Sequence, residues 1–188
     1  PVQTVIVPIA AKKEGVLESV AALKERLEKA EIRVESDLTD NSPGWKFNEW
    51  EMKGVPLRIE LGPRDIEAGK MILVRRDKHE KIQAELSDAE RIVKELLSEI
   101  QRNLYEKAKK NRESRVVSAE SVEGILAGVE GGNFVKAGWC GCRECEDKLK
   151  ADMQITTRNM PFDQTPVGDR CAVCGKPAKK KIYFGRAY

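Results

Sequence analysis

At 188 residues, with 35% charged and 40% hydrophobic side chains, the chain has room for one large or two small domains with a real core, and its composition excludes a disordered or low-complexity protein. A net charge of +3 is too small to announce a nucleic-acid binder, so any basic footprint must be local. No run approaches the length of a membrane span, and the apolar opening VQTVIVPIAA is short and lacks a basic leader; no membrane partner is expected.

Residues 3–8 (QTVIVP) are short, apolar and β-branched, as a buried strand requires. The chain starts at Pro1 without Met and runs straight into this strand, the beginning expected of a piece of something longer. A helix follows over 14–30, where Val16, Val20, Leu23, Leu27 and Ala30 recur at helical spacing. Residues 32–36 read as a second short strand and DLTDNSPGW as a polar loop ending in turn chemistry. Next come a helix over 44–52, a strand over 56–61, a turn over 63–69 and a strand over 71–75. Short strands alternating with helices indicate a mixed α/β sheet covered by helices. Ser87-Asp88-Ala89-Glu90 has the form of a capping box, and behind it Ile92, Val93, Leu96, Leu97, Ile100, Leu104 and Ala108 mark the apolar face of a long helix to about position 110. Lys107, Lys109, Lys110 and Arg112 gather at its negative end. From residue 114 the texture changes: a helix over 119–128 and a strand over NFVKAGW belong to a second domain, giving a division into 1–113 and 114–188.

Residues 43–65, PGWKFNEWEMKGVPLRIELGPRD, mix aromatic, basic and acidic side chains more densely than a packed core needs. Such a surface suits the bases of a single-stranded RNA loop, because aromatic and Arg planes stack on them while charged tips bond their edges. The same stretch also reads as an amphipathic helix-turn-strand whose charges are merely solvated.

All five cysteines lie beyond position 139, as Cys140-Gly-Cys142-Arg-Glu-Cys145 and Cys171-Ala-Val-Cys174-Gly. An odd, clustered set argues against a secreted disulfide framework and for thiolates on a metal in a reducing, cytoplasmic compartment. Cys-x-x-Cys-Gly is a zinc knuckle in form, and two such pairs make a closed, structural four-cysteine site. Four ligands must come from five candidates, and knuckle geometry alone favours Cys142 with Cys145 over Cys140 with Cys145. Free thiols and a redox dithiol at Cys171/Cys174 are the competing readings. Catalytic constellations are absent: His79 is the only histidine and is expected to be exposed, GVEGG lacks the ending of a phosphate loop, and no nucleophile has a base partner.

GWKFNEWEMKGVPLRIELGPRD, WCG…CE, MPFDQ, CAVCGKPAK and the terminal YFGRAY together resemble the C-terminal portion of prolyl-tRNA synthetase of the archaeal/eukaryotic-like type, over essentially the whole chain. The resemblance implies a class IIa anticodon-binding domain at 1–113, an α/β fold with a five-stranded mixed sheet and flanking helices, followed by a small α+β zinc-binding domain at 114–188. It implies that Phe47 stacks on a base, that Glu51 accepts from a guanine's Watson–Crick edge, and that Arg58, Arg64 and Asp65 complete the pocket for the two guanines common to proline anticodons. Some members of the family it resembles carry Lys where Arg64 stands. By the family pattern the zinc ligands are Cys140, Cys145, Cys171 and Cys174, with Cys142 an extra thiol, and the carboxylate of Tyr188 reaches toward the catalytic domain. Trp45 and Trp50 fall back to packing. The catalytic domain, with its ATP and Mg, is missing from these residues, so the chain alone is expected to be inactive and monomeric, while the parent is a homodimeric proline–tRNA ligase whose partner is tRNA(Pro). A free-standing, synthetase-derived RNA or protein interaction module is the alternative.

Overall fold

Strand β1 (Thr4–Pro8) is an interior strand of the first sheet, next to its edge. Strands β2 (Val34–Ser36) and β3 (Leu57–Leu61) pair with it in parallel, then β4 (Lys70–Arg75) and β5 (Lys81–Glu85) continue antiparallel, giving the order β2-β1-β3-β4-β5. The chain is described by a computed structural model over residues 1–165 and 168–186, and it divides into two units, Pro1–Glu106 and Lys107–Tyr188. Both sheets are mixed and flanked by helices, as an α/β fold requires.

One face of the first sheet carries Ile6, Leu57, Ile59, Leu61, Met71 and Leu73. Against it pack Val20, Leu23 and Leu27 of α1 (Val16–Lys29) and Val93, Leu96 and Ile100 of α4 (Ala89–Ser114). Each fully buried Leu or Ile contributes about 1.5–3 kcal/mol, so this layer pins the register. Slipping β3 by one residue would drive Arg58 and Glu60 into the core. On the opposite face Val5 and Val7 of β1, with Val55, are covered by Phe47 and Trp50 of α2 (Pro43–Met52). That helix lies chiefly over β1, and its Phe47 also meets Arg58 of β3. The register sets Val5 opposite Arg58, Arg58 opposite Val74 and Val74 opposite Lys81, so beyond β1 this face carries Arg58, Glu60 and Lys81 around a buried Val74.

Several elements differ from expectation for identifiable reasons. α1 starts at Val16 because Gly15 takes a left-handed φ of 78° at its N-cap. Residues 63–69 hold a one-turn helix, α3 (Pro63–Glu67), whose N–H groups are helped by Asp65 Oδ2 accepting from Gly62 N at 3.1 Å. β5 goes unread in the sequence because KIQAE turns only Ile82 and Ala84 toward the apolar layer. The capping box gives way to a 3₁₀ turn over Leu86–Asp88, and the Glu90 carboxylate instead takes a bidentate bond from Arg26 at 2.6 and 2.7 Å.

In the second unit β6 (Val116–Ser118), α5 (Val122–Glu130), β7 (Phe134–Trp139), α6 (Arg143–Met153), β8 (Ile155–Thr157) and β9 (Lys180–Arg186) form a sheet of order β6-β7-β9-β8 with its helices. Ser121 caps α5 by accepting from Gly124 N at 3.1 Å. A Cβ at Gly128 would stand 2.6 Å from Val135 Cγ2, so glycine is what lets α5 lie close on the sheet. Ile125, Leu149, Ile155 and Phe184 are fully buried between these layers. No helix among the described residues is long and apolar enough to cross a membrane. Tyr188 lies outside the described residues.

Candidate nucleic-acid interface and metal centre

Helix α2 is fixed from beneath by charge. Ser42 caps it and Pro43 opens it. Its Lys46, 3% exposed, donates Nζ to the backbone oxygen of Asp37 at 3.0 Å and stands 3.7 Å from Asp37 Oδ1. Trp50 Nε1 donates to Asp37 Oδ2 at 2.7 Å, and Thr39 gives Oδ1 two further bonds. Burial pushes the Asp37 carboxyl up, but the bonds from Thr39 and Trp50, with Lys46, outweigh it and hold the group below its ordinary value. An anchored α2 brings Trp50 and Glu51 to the rim of a cleft shared with Arg58, Val74 and Lys81 of the sheet.

There the Arg58 guanidinium lies 3.9 Å from the centroid of the Phe47 ring. Glu60, two residues along the same face, accepts from Arg58 Nε and Nη2 at 3.2 and 2.9 Å, and its other oxygen is 3.3 Å from Lys81 Nζ. Glu51 projects from α2 to within 3.2 Å of His79 Nδ1 on the β4–β5 turn. Glu51, Arg58, Arg76, His79 and Lys81, with Trp50 as a wall, line a cleft of about 170 Å³. Its walls thus offer a carboxylate and several cations within one concavity.

Of the residues singled out in the sequence, the fold brings Glu51 and Arg58 into one cleft and sets Phe47 against Arg58. Arg64 and Asp65 sit past the other end of β3, on the order of 10 Å further along the strand. Arg64 is exposed there, and Asp65 caps its own helix. Trp50 packs as expected, whereas Trp45 is 52% exposed. Glu60, Arg76, His79 and Lys81 escape sequence reasoning. Alternation with Arg58 could have placed Glu60 on the same face, but Lys81 and His79 arrive only through strand pairing.

The turn that carries His79 is tied down by a second buried network. Arg75, 2% exposed, bonds Asp77 through Nε and Nη2 at 3.1 and 2.9 Å and Glu99 through Nη1 at 2.8 Å, while Asn103 donates to Asp77 at 3.1 Å. The bond from Arg75 leads the causes that hold the Asp77 carboxyl below its ordinary value against burial.

In the second unit the sulfurs of Cys140, Cys145, Cys171 and Cys174 all lie within 4.8 Å of one another. Cys140 follows β7, a left-handed Gly141 (φ 87°) turns the chain, and Cys145 enters from the first turn of α6. The other pair sits in a knuckle closed by Gly175 N to Cys171 O at 2.9 Å and Cys171 N to Lys176 O at 2.7 Å. Ala172 N and Lys179 N bind the oxygens of Gly138 and Trp139, docking the knuckle on the end of β7. Sulfur separations of 3.6 Å (Cys140–Cys145) and 3.7 Å (Cys140–Cys174) approach the edge of about 3.8 Å that a tetrahedron with metal–sulfur bonds of about 2.3 Å demands. Burial raises the Cys171 thiol, but backbone N–H groups of Cys174, Val173 and Cys140 turn the balance and bring it to about 7. Burial, with the neighbouring sulfurs, pushes Cys145 up. These four sulfurs fit a closed divalent-metal site, and Cys142, at the N-cap position of α6, is not one of them.

A family model described as "Anticodon binding domain" matches residues 3–96, and one described as "Prolyl-tRNA synthetase, C-terminal" matches residues 122–188. The chain is similar to curated proteins named proline–tRNA ligase from Clostridium botulinum (49% identical over 189 residues), Ruminiclostridium cellulolyticum (48% over 191) and Alkaliphilus oremlandii (50% over 190). Each alignment covers 100% of this chain and 39% of the relative, so the chain spans about two fifths of those relatives' length. The chain therefore belongs to the anticodon-binding domain family, carrying that domain followed by a prolyl-tRNA synthetase C-terminal domain.

Proposed function

We propose that this chain is the anticodon-reading and zinc-stabilised part of a proline–tRNA ligase, with residues 1–113 reading the two guanines common to proline anticodons and 114–188 forming the C-terminal domain. The observation that carries the reading is the cleft in which Glu51 and Arg58 meet beside Phe47. A carboxylate accepts from the ring imino and exocyclic amino groups of guanine together, and no other base offers that pair of donors on one edge. Arg58 donates to the acceptors of the Hoogsteen edge, and Phe47, whose ring the guanidinium covers at 3.9 Å, supplies the stacking face once Arg58 turns to the base. Arg64 and Asp65, past the far end of β3, contact the second guanine, since recognition of a single-stranded loop proceeds by splaying its bases apart.

Zinc held by Cys140, Cys145, Cys171 and Cys174 supplies folding free energy, for which a site of this type is worth about 10–16 kcal/mol. ATP, Mg and the chemistry of proline transfer belong to a catalytic domain of the longer protein, and the chain by itself forms no prolyl adenylate. Its partners are tRNA(Pro) and that catalytic domain. The chain works in the cytoplasm, and is monomeric by itself where the parent is a homodimer. Titration of the chain with a proline anticodon stem-loop and with the same RNA carrying adenine for guanine tests the reading. Glu51→Ala is expected to lose the preference for guanine; a variant that discriminates as wild type does would overturn the assignment.

A further inference from the structure

Glu51 is a poor reader of a base on its own terms. Its side chain lies at the mouth of the cleft, 40% exposed, on a stem with several free torsions. Ordering such a side chain costs free energy that a pre-set geometry would save. The contact that sets it comes from His79, whose Nδ1 stands 3.2 Å from Glu51 Oε1. At that separation a ring that carries its hydrogen on Nδ1 can donate to Oε1. Among the described residues His79 is the one ion-pair partner of the Glu51 carboxylate, and both residues line the cleft.

His79 holds this position at a cost. Its φ is 54°, in the left-handed region that a residue with a Cβ rarely adopts. It is also 72% exposed, so core packing does not explain the conformation. The surroundings impose it from both sides. Arg75 and Asp77 lock the start of the turn to α4, Arg75 N bonds Glu80 O across it at 3.0 Å, and Arg76 N bonds Pro56 O at 3.0 Å, bringing the turn beside the end of α2. Arg58, Arg75, Arg76 and Lys81 are the other charged groups that line the cleft with the pair. A strained, exposed residue whose one charged neighbour within 4 Å is a site residue points to positioning rather than packing.

We infer that His79 is a positioning residue for guanine recognition: held in a left-handed turn, it fixes one oxygen of Glu51 so that the other faces the incoming base. This rests on the reading of Glu51 given above. The test separates conformation from contact with two substitutions that both tolerate left-handed φ. His79→Gly relieves the backbone and removes the donor, and His79→Asn keeps the turn and restores an amide donor near the position of Nδ1. Each variant, with Glu51→Ala in parallel, is titrated with a proline anticodon stem-loop and with one carrying inosine, which lacks the exocyclic amino group, for each guanine. His79→Gly is expected to melt no lower than wild type, to bind the guanine RNA about five-fold more weakly, and to lose a matching share of its preference over inosine; His79→Asn is expected to recover most of both. If His79→Gly binds and discriminates as wild type while Glu51→Ala does not, the inference fails and the reading of Glu51 stands. If Glu51→Ala is also unchanged, both fail.

Discussion

Lys46→Met should destabilise the first unit by about 3 kcal/mol, the lower end of what breaking a buried ion pair costs. The magnitude follows from the surroundings of Asp37. Both side chains of the pair are 4% exposed, so the carboxylate left behind cannot be rescued by water. It does keep three bonds, two from Thr39 and one from Trp50 Nε1. The backbone oxygen of Asp37 also loses its 3.0 Å bond from Nζ, worth about 1 kcal/mol of the total. Removing both charges with Lys46→Met/Asp37→Asn should cost less than Lys46→Met alone, because the uncompensated charge goes with its partner. Urea unfolding followed by tryptophan emission in a Trp139→Phe background would read the transition from Trp45 and Trp50 only. A Lys46→Met variant within about 1 kcal/mol of its parent, or a double variant as costly as the two single changes added together, would refute the view that this pair holds α2 in place.

Two further outcomes are expected. Stability of the first unit should fall as the pH drops below the ordinary carboxylate range near ~3.9, because Asp37 and Asp77 are held below their ordinary values in the folded chain. Their contribution is complete above that range and disappears as pH falls through the folded values; a urea midpoint that stays constant between about pH 7 and pH 3, or an Asp77→Asn variant with the same slope, would contradict this. In the second unit, elemental analysis should find one zinc per chain, lost with the fold on chelation and lost from Cys171→Ser but kept by Cys142→Ser. Zinc retained by Cys171→Ser would exclude the proposed ligand set.

Legibility in the sequence followed the range of the interaction. Leu57, Ile59 and Leu61 alternate with Arg58 and Glu60, so β3 and its two faces could be read directly, as could the helical spacing of Val16, Val20, Leu23 and Leu27. β5 could not, because an edge strand needs few apolar residues and KIQAE has two. Local capping chemistry misled at Ser87–Glu90, where a distant Arg26 outbids the neighbouring backbone for the Glu90 carboxylate. Glu51 and Arg58 stand out by composition and family resemblance. The Asp37–Lys46 pair, the Arg75–Asp77–Glu99 network and the approach of His79 to Glu51 involve side chains whose neighbours are chosen by strand order, and no spacing in the chain encodes them.

The central claim is that Glu51 and Arg58, beside Phe47, read guanine in a single-stranded loop. Its most direct test is the affinity of the wild-type chain for a proline anticodon stem-loop against the same RNA with adenine at both guanine positions. Charge-assisted bonds of the Glu51 kind are worth about 1.5–3 kcal/mol each, so binding to the adenine RNA should be weaker by at least about ten-fold at equal salt. Equal affinity for the two RNAs would contradict the account.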